Sequence, residues 1–188
     1  MKNTKDAMKS RTIWWNLTVG LLTLRKRIKV ELDQHKGKRM AKENYPAIRD
    51  RIQSGDVIAY HGNLLLHLTI IVATGRPWVH VGTTVVSDGR VWILESRLFK
   101  NGVTFVPLSS RIKKGAYLFP SGSAFTEEQK KKAYAEIEIV KYSLWDAIRA
   151  GFGRGPKYLG KHCAELLAYL HGTDALTPAD IVDWALER

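Results

Sequence analysis

The sequence predicts an α+β domain, in which a central antiparallel sheet is followed along the chain by a group of helices. Two observations predict this class. Between positions 55 and 119, short segments rich in β-branched and aromatic residues alternate with turns that contain Gly and Asp. After Pro120 the spacing of apolar residues changes to the three-to-four-residue period of helices. The chain has 188 residues, of which 45% are hydrophobic, and this is enough to fill the core of one domain.

The strongest strand signal is a hairpin. Two strand-like runs, Trp78–Val86 and Val91–Glu95, flank the sequence Ser-Asp-Gly-Arg, and Asp-Gly between such runs is typical of a two-residue hairpin turn. The predicted strands cover residues 55–60, 78–86, 91–95, 103–107 and 116–119. The apolar segment Leu64–Ala73 is predicted to be a buried helix, with a strand as the alternative.

The predicted helices are marked by residues that favour helix ends. Thr126 and Thr177 are expected N-caps, Pro178 occupies the first helical position after Thr177, and Gly172 closes the helix before it. The predicted helices cover residues 45–53, 126–140, 143–150, 162–170 and 178–186.

Positive charge is concentrated at the start of the chain. The formal net charge is +12, and residues 1–52 hold 14 Lys and Arg against 5 Asp and Glu, whereas residues 53–188 hold 16 against 13. We therefore predict a basic N-terminal arm over 1–52, including a polar linker at Asp33–Lys42, and a domain over 53–188. Because the domain carries no basic stripe, nucleic-acid binding is not expected.

The arm contains one apolar run, Ile13–Leu24. A membrane-spanning helix needs about 20 residues, so this run is too short to cross a bilayer. It resembles a signal peptide but lacks a following small-residue cleavage site, which argues against removal. Its apolar residues from Trp14 to Ile28 fall on one stripe of a helix. We expect that helix to contact an anionic membrane surface, an assembly partner or its own domain, and a chain beginning near Tyr45 to fold.

The single cysteine, Cys163, is a candidate nucleophile. One cysteine excludes an intramolecular disulfide and any zinc site with two cysteine ligands. It lies at the start of a predicted helix behind Lys161, so the helix dipole and a nearby cation would both favour the reactive thiolate. The alternative is a small buried cysteine that serves packing alone.

The hairpin supplies a candidate base and a carboxylate to orient it. If the turn centres on Asp88-Gly89, residues whose numbers sum to 177 face each other, so His80 lies opposite Arg97 and diagonal to Glu95. A longer loop would place Glu95 directly opposite His80. In either register both side chains share one face, as in a catalytic triad. The alternatives are a half-buried sheet histidine and a solvated strand end.

The other polar candidates are weaker. None of the six histidines has the helical spacing of a metal-binding pair, so neither a metal nor a cofactor is expected. His162 is adjacent to Cys163 and is expected to point elsewhere. Tyr60 is either a further hydrogen-bond donor or a core tyrosine. The glycine-rich segment Gly151–Gly160 could form one wall of a cleft or a simple connection.

The order of several segments resembles the circularly permuted branch of the NlpC-type papain-like superfamily, and within it the YiiX-like group. In chain order the segments are GDVIAY, ATGRPWVHVG, VWILES, GVTFVPL, KHCAELL and TPADI. In that group a histidine in a His-x-Gly strand comes first, a carboxylate ends the next strand, and a cysteine heads a late helix. His80, Glu95 and Cys163 occupy these positions, while Ala164-Glu165 replaces the group's usual Ser-Glu. The resemblance spans residues 54–182.

The resemblance implies a permuted papain-like fold and hydrolysis or transfer at an amide or ester through a thioester. Cys163 would attack, His80 would move the proton, Glu95 would orient the imidazole, and Tyr60 would assist. Substrates in the family are often cell-wall peptides, and in some branches lipid acyl groups. A bacterial cell envelope or a phage virion is the expected location. The competing interpretation is a catalytically idle binding or structural module in a membrane-associated or virion assembly.

Overall fold

The structure is a computed structural model that describes residues 37–61, 70–71, 74–97, 102–112, 115–137, 141, 150 and 161–188. Lys36–Arg188 form one compact unit. Its strands are β1 (Lys38–Met40), β2 (Val57–His61), β3 (Trp78–Ser87), β4 (Arg90–Arg97), β5 (Gly102–Pro107) and β6 (Ala116–Phe119). Its helices are α1 (Tyr45–Arg49), α2 (Glu127–Ala135), α3 (Cys163–His171) and α4 (Pro178–Leu186), with a 3₁₀ turn at Leu108–Ser110. The predicted α+β class is confirmed.

The strands form one antiparallel sheet in the order β1-β6-β2-β3-β4-β5. Its central hairpin has the predicted register, because Ser87 pairs with Arg90 and Thr83 with Leu94. Asp88 and Gly89, with φ of 51° and 67°, both lie in the left-handed region that a type I′ turn requires. The turn therefore fixes which residues of β3 and β4 meet.

Gly82 permits the close approach of β3 to β4 near the site. A Cβ atom at this position would lie 2.8 Å from the Ile93 side chain and 3.1 Å from the Leu94 carbonyl oxygen. On its other side β3 pairs with β2, where Tyr60 lies opposite His80. Gly82, two residues after His80, therefore allows β3 to lie close to β4.

Helix termini follow the predicted capping residues. The hydroxyl oxygens of Thr126 and Thr177 accept hydrogen bonds, each 3.2 Å long, from the amides of Gln129 and Asp180. Helix α3 ends at Gly172, whose φ of 67° is left-handed. Helices α3 and α4 pack on β3, and α3 also contacts β4. This packing brings the first turn of α3 beside the sheet.

Two predicted elements fall largely outside the described residues. Of the segment 64–73, the structure describes only Ile70 and Ile71, which are helical, as is Thr74. The predicted helix over 143–150 is described only at its last residue. The helix predicted over 126–140 is shorter than expected, because it ends at Ala135.

The boundary between arm and domain lies earlier than predicted. Lys38–Met40, placed in the sequence-based linker, forms the edge strand β1, and Met40 pairs with Ala116. Met40 and Ile48 are only 1% and 2% exposed. They belong to a core cluster that comprises Met40, Ile48, Ile52, Ile58, Val91, Ile93, Leu108, Ile112, Ala116 and Leu118. A three-residue strand among charged residues carries too little alternation to be detected from sequence.

The basic arm up to residue 36, including its predicted helix, lies outside the described residues. Within the described part of the chain, no helix combines the length and apolar character needed to cross a membrane.

A chain beginning at Tyr45 is expected to be less stable than one beginning at Lys36, contrary to the sequence-based expectation. It lacks β1 and the buried Met40 side chain, and we expect a loss of roughly 2–4 kcal/mol in the free energy of unfolding. Urea denaturation of the two chains measures the difference. In the full chain, Met40→Ala should reproduce most of it, whereas Arg39→Ala, at an exposed neighbour, should not. Equal midpoints for both truncated chains would show that β1 contributes nothing.

Candidate active site

Cys163 is the first residue of helix α3, and its side chain is buried, with 4% exposed. Both backbone polar groups of Lys161, two positions earlier, are hydrogen-bonded. Its carbonyl accepts a 2.5 Å hydrogen bond from the Ser96 hydroxyl on β4, and its amide donates to the Lys141 carbonyl at 3.0 Å. The Glu165 carboxylate accepts from the His162 amide at 3.3 Å. These bonds fix the helix N-terminus, and with it the thiol, against the sheet.

His80 joins the thiol to a carboxylate. Its Nε2 atom lies 2.7 Å from Oε2 of Glu95. The Cys163 thiol lies near enough to this ring for the two groups to influence each other's pKa. The His80 side chain is 21% exposed, so the site opens to solvent at the imidazole. The structure therefore places His80 against Glu95, and the Cys163 thiol lies close to the same imidazole.

Glu95 is fully buried, with 0% of its side chain exposed, and cations surround it. The Arg111 guanidinium contacts both carboxylate oxygens, with Nε 2.5 Å from Oε1 and Nη2 3.1 Å from Oε2. Nε of Arg97 lies 3.7 Å from Oε1. A buried carboxylate needs such compensation to remain charged. The sequence predicts a role for Glu95 but not for Arg111, which follows the 3₁₀ turn in a segment without a recognisable motif.

The charges of these groups reinforce one another. Burial raises the pKa of Cys163, but the positive charge of His80 and hydrogen bonds from His162 and His80 outweigh it and lower the pKa to about 5. Burial lowers the pKa of His80, yet the Cys163 thiolate and Glu95 raise it to about 9. For Glu95, burial is outweighed by His80 and Arg111, which lower its pKa to about 2. A thiolate–imidazolium pair is thus favoured at neutral pH.

The neighbours of Cys163 differ from the expectation. His162 was expected to point away, but its side chain is buried and lies near enough to the thiol to lower the pKa of Cys163. It can do so because it precedes the helix in extended conformation, with ψ of 175°. Lys161 was expected to stabilise the thiolate, but its ammonium lies 2.8 Å from Glu136 and 3.7 Å from the centre of the Tyr169 ring. The helix start therefore supports the thiolate through an imidazole rather than an ammonium.

Tyr60 lies beside the imidazole, with the two ring centres 5.6 Å apart. Its hydroxyl is buried and has no hydrogen-bond partner among the described residues. Burial and the charge of Glu95 together raise its pKa above the usual value, so it is neutral. The Arg111 guanidinium lies 5.6 Å from its ring centre. These contacts fit the packing alternative for Tyr60, while its role as a donor stays a prediction.

The remaining candidates do not join the site. His171 packs between the rings of Phe125 and Trp184, and burial lowers its pKa to about 4. The segment 151–160, predicted as a cleft wall or a connection, lies outside the described residues, as do His35 and His67. Across the described ranges, no three His, Cys, Asp or Glu side chains are grouped as metal ligands would be.

Comparisons with known proteins give a match among solved structures. No family model matches the chain. No curated protein matches it either. One of the matching solved structures is the crystal structure of metalloprotein yiiX from Escherichia coli O157:H7, with 19% sequence identity and a TM-score of 0.49. The match covers 66% of this chain and 67% of that chain.

Proposed function

We propose that this protein is a cysteine hydrolase with a permuted papain-like fold and a Cys163–His80–Glu95 triad. One observation carries the proposal: a buried thiol at a helix N-terminus lies beside an imidazole that a fully buried carboxylate holds at 2.7 Å. Nucleophile, base and orienting group in this order are what acyl transfer requires. The order of His80 before Cys163 along the chain supports the permuted form.

The reaction follows from these three groups. The Cys163 thiolate attacks the carbonyl carbon of an amide, and the carbonyl π electrons move to its oxygen. As the tetrahedral intermediate collapses, the C–N bond breaks and the His80 imidazolium gives its proton to the departing amine, which leaves a thioester. Neutral His80 then takes a proton from water. The resulting hydroxide attacks the thioester carbonyl, and the thiolate departs to give a carboxylic acid.

The negative oxygen of each intermediate needs donors. The first amides of α3 have no partner within the helix, so the Cys163 N–H is placed to donate to that oxygen. The helix dipole adds to this stabilisation. Glu95 takes no proton in this scheme, because Arg111 and His80 keep its pKa near 2, and it orients the imidazolium instead.

The substrate we propose is an amide bond of a cell-wall peptide, which the family resemblance favours over a lipid acyl group. Incubating the protein with purified peptidoglycan and, separately, with acyl lipid, and identifying products by mass spectrometry, distinguishes the two. New peptide termini that the Cys163→Ala variant does not produce would support the amidase. Release of fatty acid alone would show that the substrate is a lipid acyl group, while the attack by Cys163 would remain as proposed.

The pH dependence of thiol alkylation tests the proposed nucleophile without knowledge of the substrate. The Cys163 pKa of about 5 predicts that the rate of reaction with iodoacetamide rises as pH increases through about 5 and is already high at pH 7. In His80→Ala the thiolate loses its main neighbouring cation. The pH at which the alkylation rate increases should therefore move toward the ordinary thiol pKa of about 8.5. Mass spectrometry of quenched samples gives the rates. A wild-type rise near that ordinary value would favour the idle binding module.

A further inference from the structure

Among the cations around the described site, Arg97 is the one that an acidic group holds least closely, with Nε 3.7 Å from Oε1 of Glu95. The thiolate of Cys163 is matched by the imidazolium of His80, and the carboxylate of Glu95 is matched by Arg111 at 2.5 Å and 3.1 Å. Lys161 is matched by Glu136 at 2.8 Å. The described site therefore has a surplus of one positive charge, located on Arg97.

The position of Arg97 makes that charge available. Its Nε atom is 3.7 Å from Oε1 of Glu95, beyond hydrogen-bonding distance. Its side chain is 27% exposed, whereas that of Arg111 is 15% exposed. Arg97 is the last residue of β4, and it approaches the same Glu95 carboxylate as His80, with Nε at 3.7 Å and the imidazole Nε2 at 2.7 Å. An anion bound by Arg97 would lie beside the imidazole.

We propose that Arg97 binds a carboxylate of the substrate, next to the amide bond that Cys163 attacks. The guanidinium has five N–H donors in a planar fork that matches a carboxylate, and its contact with Glu95 leaves donors unused. The partly buried setting strengthens such a pair relative to one in bulk water. This inference rests on the proposed function and narrows it to acidic peptide substrates.

The test compares two alkylating reagents that differ in one group. Iodoacetate carries a carboxylate where iodoacetamide carries a neutral amide, and both place the same carbon before the thiolate. The rate with iodoacetate divided by the rate with iodoacetamide measures how strongly the site attracts the carboxylate. Both reagents react with the same thiolate, so a change in the thiolate fraction does not alter this ratio. We expect Arg97→Gln to lower this ratio by roughly five-fold or more, as expected for losing a partly buried ion pair.

Arg90→Gln is the matched control, since it removes the same charge from the exposed opposite end of β4. It should leave the ratio at the wild-type value. In wild type, added salt should also lower the ratio, because screening weakens attraction between partly exposed charges. Equal ratios for Arg97→Gln and Arg90→Gln would overturn the proposal. Slow reaction of wild type with both reagents at neutral pH would instead overturn the proposed nucleophile, so the two failures are distinguishable.

A second measurement on the wild-type protein keeps the proposal testable if Arg97→Gln does not fold. An N-acetylated acidic dipeptide should protect Cys163 from iodoacetamide, and the same dipeptide with its carboxylates amidated should protect it less. Short-chain phosphatidate forms a third arm. Protection by phosphatidate alone would overturn the peptide carboxylate in favour of a lipid phosphate, and equal protection by both dipeptides would overturn the charge recognition.

Discussion

Replacing Cys163 with alanine is expected to lower the rate of substrate hydrolysis by roughly 10⁴-fold or more, because the proposed covalent step then has no nucleophile. The described residues offer no substitute, since Cys163 is the single cysteine in the sequence. Whatever remains would come from binding and from the helix amides that polarise the carbonyl.

The same substitution should have little effect on stability. Alanine removes one sulfur atom from a buried site and leaves His80 bonded to Glu95 at 2.7 Å. A change of about 1 kcal/mol would shift the thermal midpoint by only a few degrees. Turnover of the peptidoglycan substrate and thermal unfolding of the same preparation give the two values.

Cys163→Ser serves as the control for shape. A hydroxyl fits the space of the thiol, but its pKa is too high for His80 to hold it as an anion, so activity should fall almost as far as in the alanine variant. Substantial turnover in either variant would show that the thiol is not the nucleophile. An inactive Cys163→Ala that is also unfolded would leave the serine variant to decide.

The hairpin explains why much of the candidate site could be predicted from sequence. The Asp88-Gly89 turn fixes the register, and the register fixes that His80 and Glu95 share a face. Thr126, Thr177 and Gly172 likewise act within a few residues of the helix ends they define. Local rules of this kind operate over short distances along the chain, so a single sequence contains them.

The parts that sequence did not predict depend on contacts between distant segments. Arg111 reaches Glu95 from a segment 16 residues away, and nothing in its local sequence marks it as a partner for a buried acid. Strand β1 exists because β6 offers an open edge at Ala116–Leu118, which lies far along the chain. His162 lies near the thiol because its backbone is extended before α3, whereas its adjacency to Cys163 suggested that it points away. Each outcome is decided by tertiary structure.

Glu95→Gln is expected to lower both the rate of hydrolysis and the free energy of unfolding. For activity, His80→Ala should cost more, roughly 10³-fold or more, because it removes the group that transfers the proton. Glutamine keeps the size of Glu95 and can still accept a hydrogen bond from the imidazole, so we expect a loss of about 10²-fold. Kinetic assays of the two variants on the same substrate show which substitution causes the larger loss of activity.

The stability effect follows from the buried charges. Removing the Glu95 carboxylate leaves Arg111 partly buried without its anion, and breaking such a pair typically costs several kcal/mol. The lowering of the Glu95 pKa from 4.5 to about 2 corresponds to about 3 kcal/mol, which we expect as the difference in the free energy of unfolding at pH 7. Urea denaturation of wild type and variant measures it.

The pH dependence of that difference has a defined sign. A carboxylate with a lowered folded-state pKa stabilises the protein above its unfolded pKa, and this contribution is lost as pH falls from about 4.5 toward 2. The gap between wild type and Glu95→Gln should therefore narrow over this range. The Arg111→Met/Glu95→Gln double variant should be more stable than the sum of the single losses predicts, because the guanidinium closest to Glu95 is removed together with its anion. If the losses simply add and the gap is independent of pH, the carboxylate is not held in place by Arg111, and the orientation of His80 must have another source.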